Sequence, residues 1–341
     1  MAIRSRRSWT LVVGPSLVMV AALLVALAAP AAGTEVLLYS SRHYPKEPAF
    51  EAFTKKTGIT LKIFHASDAE LFERLRAEGE RTPADVLVTV DAGNLWNAAR
   101  AGYLAPVDSP ELATNIPANL RDPQNRWVAL AVRARTIMYS TARVKPEELS
   151  TYAALGEPKW KGRLCLRSSA HIYNQSLLAS MIKRYGEPRV EEIVRAWVAN
   201  QPILINGDAK ILEAIAAGQC DVGVTNTYYL GRALAKDPNL PVRPFWPDQA
   251  GPGVHVNVSG AGVTAHSKHR AEAIKFLEFL STPEAQAVWA EASFEYPANP
   301  QVPPQPLLVQ WGSFKMDDIN VAAAGEFQAA ATKLADRAGY R

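Results

Sequence analysis

The sequence predicts a two-lobed α/β fold with two crossover hinge strands. Strand-like and helix-like patterns alternate from residue 35 onward, which implies an open, mainly parallel sheet. The alternation comes in two separate sets. Two unusually long extended runs, 127–139 and 254–264, are long enough to pass between them. Two domains in series is the competing arrangement.

The first set opens with a short apolar strand, 35–40, that ends in the polar loop Ser41-Arg42-His43-Tyr44-Pro45. A helix over 47–56 stops at Gly58, and 59–64 is a strand. Ser67 and Glu70 have the spacing of a capping box, opening a helix to about residue 78. A strand over 84–90 and a helix over 92–101 complete the set. In the second set 163–166 and 221–225 are strands. Helices are expected over 174–185, 190–198, 208–217, 268–280, 283–291 and 326–337. The lobes are then 34–132 with 260–310, and 133–259 with 311–341.

Composition narrows the function. The chain of 341 residues is 48% hydrophobic and 21% charged, as expected of a globular protein. Its net charge of +4 owes three units to Arg4, Arg6 and Arg7, and the remainder balances 34 basic against 33 acidic groups. That is not the concentrated basic surface of a nucleic-acid binder. Two cysteines exclude a disulfide-dense fold and a four-cysteine zinc site.

Residues 1–33 read as an export signal: a basic start, an apolar stretch over 11–28, and the small residues Ala29-Pro30-Ala31-Ala32-Gly33. Ser5-Arg6-Arg7-Ser8-Trp9 also suits a twin-arginine signal, so Sec and twin-arginine export both stay open. An uncleaved membrane anchor is the competing reading, the apolar run being near the ~18–20 residues needed to span.

In open α/β sheets ligands sit beyond the carboxyl ends of strands. Three of the four loops expected there carry tyrosine. They are His43-Tyr44, the stretch Arg167-Ser168-Ser169-Ala170-His171-Ile172-Tyr173-Asn174-Gln175, and Thr225-Asn226-Thr227-Tyr228-Tyr229. In a loop or first helical turn Tyr228 and Tyr229 can face one cavity. Phenolate is a hard anionic oxygen donor suited to a small, highly charged cation such as Fe³⁺. A free phenol titrates near ~10, and a trivalent ion stabilises its deprotonated form. Four phenolates would leave the centre at −1 and three would leave it neutral. Arg42, Arg135 and Arg167 are the candidate cations for offsetting surplus charge. The same aromatic loops also suit a sugar or amine pocket, where an organic cation would be caged and Asp91 would be the available carboxylate.

These residues carry a resemblance. Ser40-Ser41-Arg42-His43-Tyr44, Thr82-Pro83-Ala84-Asp85-Val86 with Val90-Asp91-Ala92-Gly93, Ile172-Tyr173-Asn174-Gln175 and Asn226-Thr227-Tyr228-Tyr229 resemble the periplasmic ferric-iron-binding proteins of ABC importers. The likeness is greatest to their tyrosine-rich, cyanobacterial branch and covers essentially the whole mature chain. The resemblance implies a periplasmic-binding-protein fold of class II that closes on Fe³⁺. It implies Tyr44, Tyr173, Tyr228 and Tyr229 as ligands with His43 beside them, an inner-membrane ABC permease as partner, and a monomer. The other branch adds a glutamate ligand and a synergistic anion. The corresponding stretch here, Thr89-Val90-Asp91-Ala92-Gly93-Asn94, offers no glutamate. Bicarbonate or another small anion would fill an open position. A solute-binding protein for an organic cation or small anion, and a non-transport iron chaperone, are the alternatives. Motifs of exported hydrolases and zinc proteases are missing from the sequence, so an enzyme is not expected.

Cys165 precedes Tyr173 by eight residues and Cys220 precedes Tyr228 by eight. If their strands are parallel neighbours, the sulfurs lie at matching depth. A Cys165–Cys220 disulfide tying together the two segments that deliver three tyrosines is therefore expected in an oxidising compartment.

Overall fold

A computed structural model describes residues 34–42 and 47–341. The expected export signal and the pair His43 and Tyr44 lie outside the described residues.

Three short strands, β1 (Glu35–Ser40), β2 (Thr60–His65) and β3 (Val86–Thr89), run parallel with β1 in the middle. Helices α1 (Pro48–Thr57), α2 (Asp68–Glu78) and α3 (Ala92–Arg100) follow them in turn. A short helix, α4 (Pro110–Asn115), leads to the 13-residue strand β4 (Val128–Ser140). The second set is β5 (Leu164–Leu166), α5 (Ile172–Tyr185), α6 (Glu187–Ala199), β6 (Ile203–Leu204), α7 (Asp208–Ala217), β7 (Val222–Asn226), α8 (Thr227–Lys236) and β8 (Val242–Phe245). The chain returns through β9 (Val256–Val263), α9 (Arg270–Ser281), α10 (Pro283–Ser293) and β10 (Tyr296–Pro297). It finishes with α11 (Pro306–Val309), α12 (Ala323–Glu326) and α13 (Gln328–Ala338).

The strand order is β2-β1-β3-β9-β4-β7-β5-β6, with β8 and β10 also pairing with β4. Strand β4 joins the halves. From Val128 to Ala134 it runs antiparallel to β9, and from Arg135 onward it pairs with β7 and β8. The two long extended runs expected from the sequence are thus the two central antiparallel strands of a two-lobed body.

Alternation of side chains along the strands explains the layers. In β1, Val36 and Leu38 pack with Phe50, Phe53, Phe276 and Trp289, whereas Tyr39 faces Leu71, Leu75 and Leu95. In the other half Leu164 and Leu166 meet Trp160, Trp197 and Leu334 on one face, while Cys165 meets Ile211 and Ile215 on the other. Each such large apolar side chain contributes roughly 1.5–3 kcal/mol by leaving water. Local signals set the helix ends. The Ser67–Glu70 capping box is complete, with Ser67 N donating to Glu70 Oε2 at 2.8 Å and Glu70 N to Ser67 Oγ at 3.3 Å. Gly58 ends α1 with φ of +74°, a conformation that side-chain-bearing residues adopt at a cost.

Cys165 and Cys220 form the expected disulfide, with Cα atoms 5.9 Å apart. The depths differ from the expectation. Cys165 lies within β5 opposite Gly223, and Cys220 sits ahead of β7. The strands approach closely there, because a Cβ on Gly223 would lie 2.7 Å from Ile211 Cγ2 and 3.0 Å from the Cys165 carbonyl oxygen. The bridge staples the strand leading to Tyr173 to the entry of the strand leading to Tyr228. It closes a separation of 55 residues, for which loop entropy gives about 4 kcal/mol. Mass spectrometry of the native protein should therefore find no alkylatable thiol, and reduction should lower the unfolding free energy by about 4 kcal/mol. Two alkylatable thiols in the unreduced protein would contradict this.

Candidate metal centre

The candidate tyrosines are delivered by helix starts. Tyr173 is the second residue of α5, and Tyr228 and Tyr229 are the second and third of α8. The helical start lets adjacent Tyr228 and Tyr229 point the same way. Their ring centroids are 4.4 Å apart with an interplanar angle of 32°. The Tyr173 and Tyr228 hydroxyls come within 3.2 Å of each other. Three of the four candidate tyrosines are therefore gathered in one place, from two loops that neighbour each other because β5 and β7 are paired.

The environment of these phenols is dry. Tyr173 and Tyr228 are buried, and Tyr229 is half-buried. Burial pushes the Tyr173 phenol up to about 12, with Arg133 pulling it down and Tyr229 pushing it further up. Tyr228 is held well above the ordinary phenol value, first by burial and then by the neighbouring Tyr173 and Tyr229 hydroxyls. Without a cation both are neutral hydroxyls at physiological pH.

Positive charge encircles Tyr173. The guanidinium carbons of Arg133, Arg135 and Arg167 lie 5.8, 5.9 and 5.8 Å from its ring centroid. Two of the three share one carboxylate. Arg135 Nη1 donates to Asp208 Oδ2 at 2.8 Å, and Arg167 Nη1 to Asp208 Oδ1 at 3.4 Å. Arg42 is engaged elsewhere, donating to Glu47 at 2.6 Å and Glu295 at 3.2 Å while its guanidinium lies over the Trp289 ring at 4.2 Å. Arg133 is the cation that the sequence reading missed. It is buried, its Nη1 donates to Ser259 Oγ at 3.3 Å, and Glu295 is 3.9 Å away. Its Nε and Nη2 have no hydrogen-bond partner among the described residues. The signal was available: Arg133 and Arg135 are two residues apart in an apolar strand and so share a face.

Other candidates fall into structural roles. Asp91 is no free cleft carboxylate. It caps α3 through Gly93 N at 2.8 Å, accepts from Ser176 Oγ of α5 at 2.8 Å, and accepts from Asn257 Nδ2 of β9 at 2.9 Å. Burial pushes its carboxyl up to about 6. Asp68, at the start of α2, is a carboxylate the sequence reading overlooked. It is half-buried, raised by burial and lowered by nearby Ser41 and Arg133. His171 caps α5, its Nδ1 accepting from Tyr173 N at 3.3 Å, and its ring meets the Tyr173 ring at 4.5 Å. His65 Nδ1 meets the Arg42 carbonyl at 3.1 Å. Among the described residues no group of three or more His, Cys, Asp or Glu side chains is placed to hold a metal ion. The chemistry gathered here is phenolic.

A two-lobed α/β body with a polar, tyrosine-bearing site at the ends of its strands defines a solute-binding protein of the periplasmic type. The chain belongs to the bacterial extracellular solute-binding proteins, whose family model matches residues 48–316. It is similar to iron uptake protein A1 of Synechocystis sp., with 42% identity over 322 residues, 92% of this chain and 89% of that protein. The structure of Trichodesmium IdiA (FutA), solved in complex with iron and citrate ligands, superposes with a TM-score of 0.87 at 44% identity, covering 90% of this chain and 100% of the other. The ferric binding protein from Campylobacter jejuni superposes with a TM-score of 0.83 at 33% identity, covering 90% and 100%.

One buried histidine makes acid stability testable. His255 precedes β9, is buried, and is held down to about 3 by burial and by Arg135 and Arg133. An unfolded histidine titrates near ~6.5, so below that pH protons favour the unfolded chain. This part of the stability is present above ~6.5 and is lost as pH falls toward about 3. Denaturant unfolding of the metal-free protein between pH 7.5 and 4.5 should lose up to about 1.4 kcal/mol per pH unit through this group. His255→Asn should flatten the slope, and an unchanged slope would contradict the assignment.

Proposed function

We propose that the chain binds ferric iron in the interlobe cleft through tyrosine phenolates and delivers it to an ABC-type importer. The observation that carries this reading is the near contact of the Tyr173 and Tyr228 hydroxyls beside Tyr229, in a place with no competing carboxylate or imidazole cluster among the described residues. Tyr173, Tyr228 and Tyr229 supply three phenolates, and Tyr44 with His43 supplies the remainder from the first lobe. The relatives' names, iron uptake protein and ferric binding protein, support the same reading.

The chemistry follows from the phenols. Neutral and crowded when empty, they lose their protons to solvent as their oxygens bind a trivalent ion, whose charge offsets the cost of burying phenolates. Three phenolates neutralise Fe³⁺ and a fourth leaves −1, which Arg133 offsets. Arg133 Nε and Nη2 are also the donors that bicarbonate or another small anion would meet in an open coordination position. Because protons compete with the metal, affinity falls as pH falls. The lobes, taken as 34–132 with 260–310 and 133–259 with 311–341, close when one ion binds both Tyr44 and the other three tyrosines, since only the closed state satisfies the full ligand set. A permease recognises that closed monomer, and a Sec or twin-arginine signal exports the chain.

Adding ferric citrate to the purified mature protein should give an orange-red charge-transfer band that bleaches on acidification. A colourless protein that takes up no iron would overturn the reading. Tyr228→Phe or Tyr229→Phe should weaken binding by more than about 100-fold, beyond the 10–100-fold typical of outer-shell changes. His43→Ala should cost less, and the reverse order would overturn the ligand ranking. Arg133→Gln should raise the pH of half-release, because both phenols lose a cation that pulls them down. An unchanged midpoint would remove Arg133 from the account.

A further inference from the structure

Tyr173 is held from behind by a residue far away in sequence. After α13 the chain turns through Gly339, whose φ is +75°, and inserts Tyr340 beneath the loop that leads into α5. Tyr340 is buried. Its hydroxyl donates to the Arg167 carbonyl at 2.5 Å and accepts from Asn174 Nδ2 at 2.7 Å. Its carbonyl accepts from Ser169 Oγ at 2.9 Å. Asn174 Nδ2 also donates to the carbonyls of Arg167 at 2.8 Å and Ser168 at 3.1 Å, while its Oδ1 accepts from Arg135 Nε at 2.9 Å. One phenol thus clamps both ends of the 167–174 segment and, through Asn174, the Arg135 guanidinium that faces Tyr173.

We propose that Tyr340 is a positioning residue for the metal centre, fixing the loop that presents Tyr173. This rests on the ferric reading above. The geometry favours a dedicated role over general packing. The apolar ring already fills its place among Leu334, Ala335 and Ala338 of α13, whereas the hydroxyl, among the described residues, bonds to the loop and to its neighbour Asn174. Removing the hydroxyl keeps the packing and frees the segment.

The test uses the full mature protein carrying Tyr340→Phe, with Ser169→Ala as a second, milder variant that keeps the hydroxyl. In the metal-free state, amide hydrogen exchange over 167–174 should accelerate about tenfold in Tyr340→Phe, as expected for loss of one buried hydrogen bond, while β4 and α1 stay unchanged. Iron affinity measured by competition with citrate should fall about tenfold and the charge-transfer band should shift, with the melting temperature within a few degrees of the parent. Ser169→Ala should move exchange and affinity the same way by less, and it carries the test if Tyr340→Phe does not fold. Unchanged exchange over 167–174 overturns the anchor. Faster exchange with unchanged affinity and band overturns its role at the metal. A parent protein that binds no iron would sink the ferric reading instead, and the exchange comparison would still decide whether Tyr340 holds the loop.

Discussion

Two phenol hydroxyls buried 3.2 Å apart are the constraint on which the rest of this structure depends. Neither ionises easily in that place, because burial and the neighbouring phenol both oppose a negative charge. The same arrangement becomes favourable once a small trivalent cation stands between the oxygens. Arg133 tempers the imbalance by pulling both phenols down.

The scaffold keeps that arrangement rigid from two sides. In the second half, Asp208 takes Arg135, Arg167 and the Asn226 amide at once, which ties the α5 and α8 starts together. The disulfide adds a covalent tie between the same segments. In the first half, Glu295 accepts from Arg42 and Ser259 and lies 3.9 Å from Arg133. Buried ion networks of this kind are costly to dismantle one member at a time. Strands β4 and β9 run between the halves as a paired, antiparallel seam.

Much of this was legible in the residues, for physical reasons that are local. The short apolar runs of β1 and β7, the Ser67–Glu70 box and the stop at Gly58 depend on neighbours a few positions away. The placement of tyrosines at strand-to-helix junctions, and the equal offsets of Cys165 and Cys220 from them, are also short-range. What escaped depends on partners distant in the chain. Arg133 reads as one charge in an apolar strand until Glu295 and Ser259 are brought beside it. Asp91 reads as an open loop carboxylate until Ser176 and Asn257 consume its oxygens. The short strands β6, β8 and β10 exist only as pairings to longer partners, and the support of Tyr173 by Tyr340 joins residues 167 positions apart.

In the function proposed above, phenolate oxygens of Tyr173, Tyr228 and Tyr229 converge on one ferric ion. Resonance Raman spectroscopy of the iron-loaded protein, excited within its visible band, reads this most directly. Enhanced tyrosinate ring modes are expected, diminishing in each single Tyr→Phe variant at 173, 228 and 229. Iron-loaded protein without tyrosinate enhancement, or with modes indifferent to all three substitutions, would contradict it.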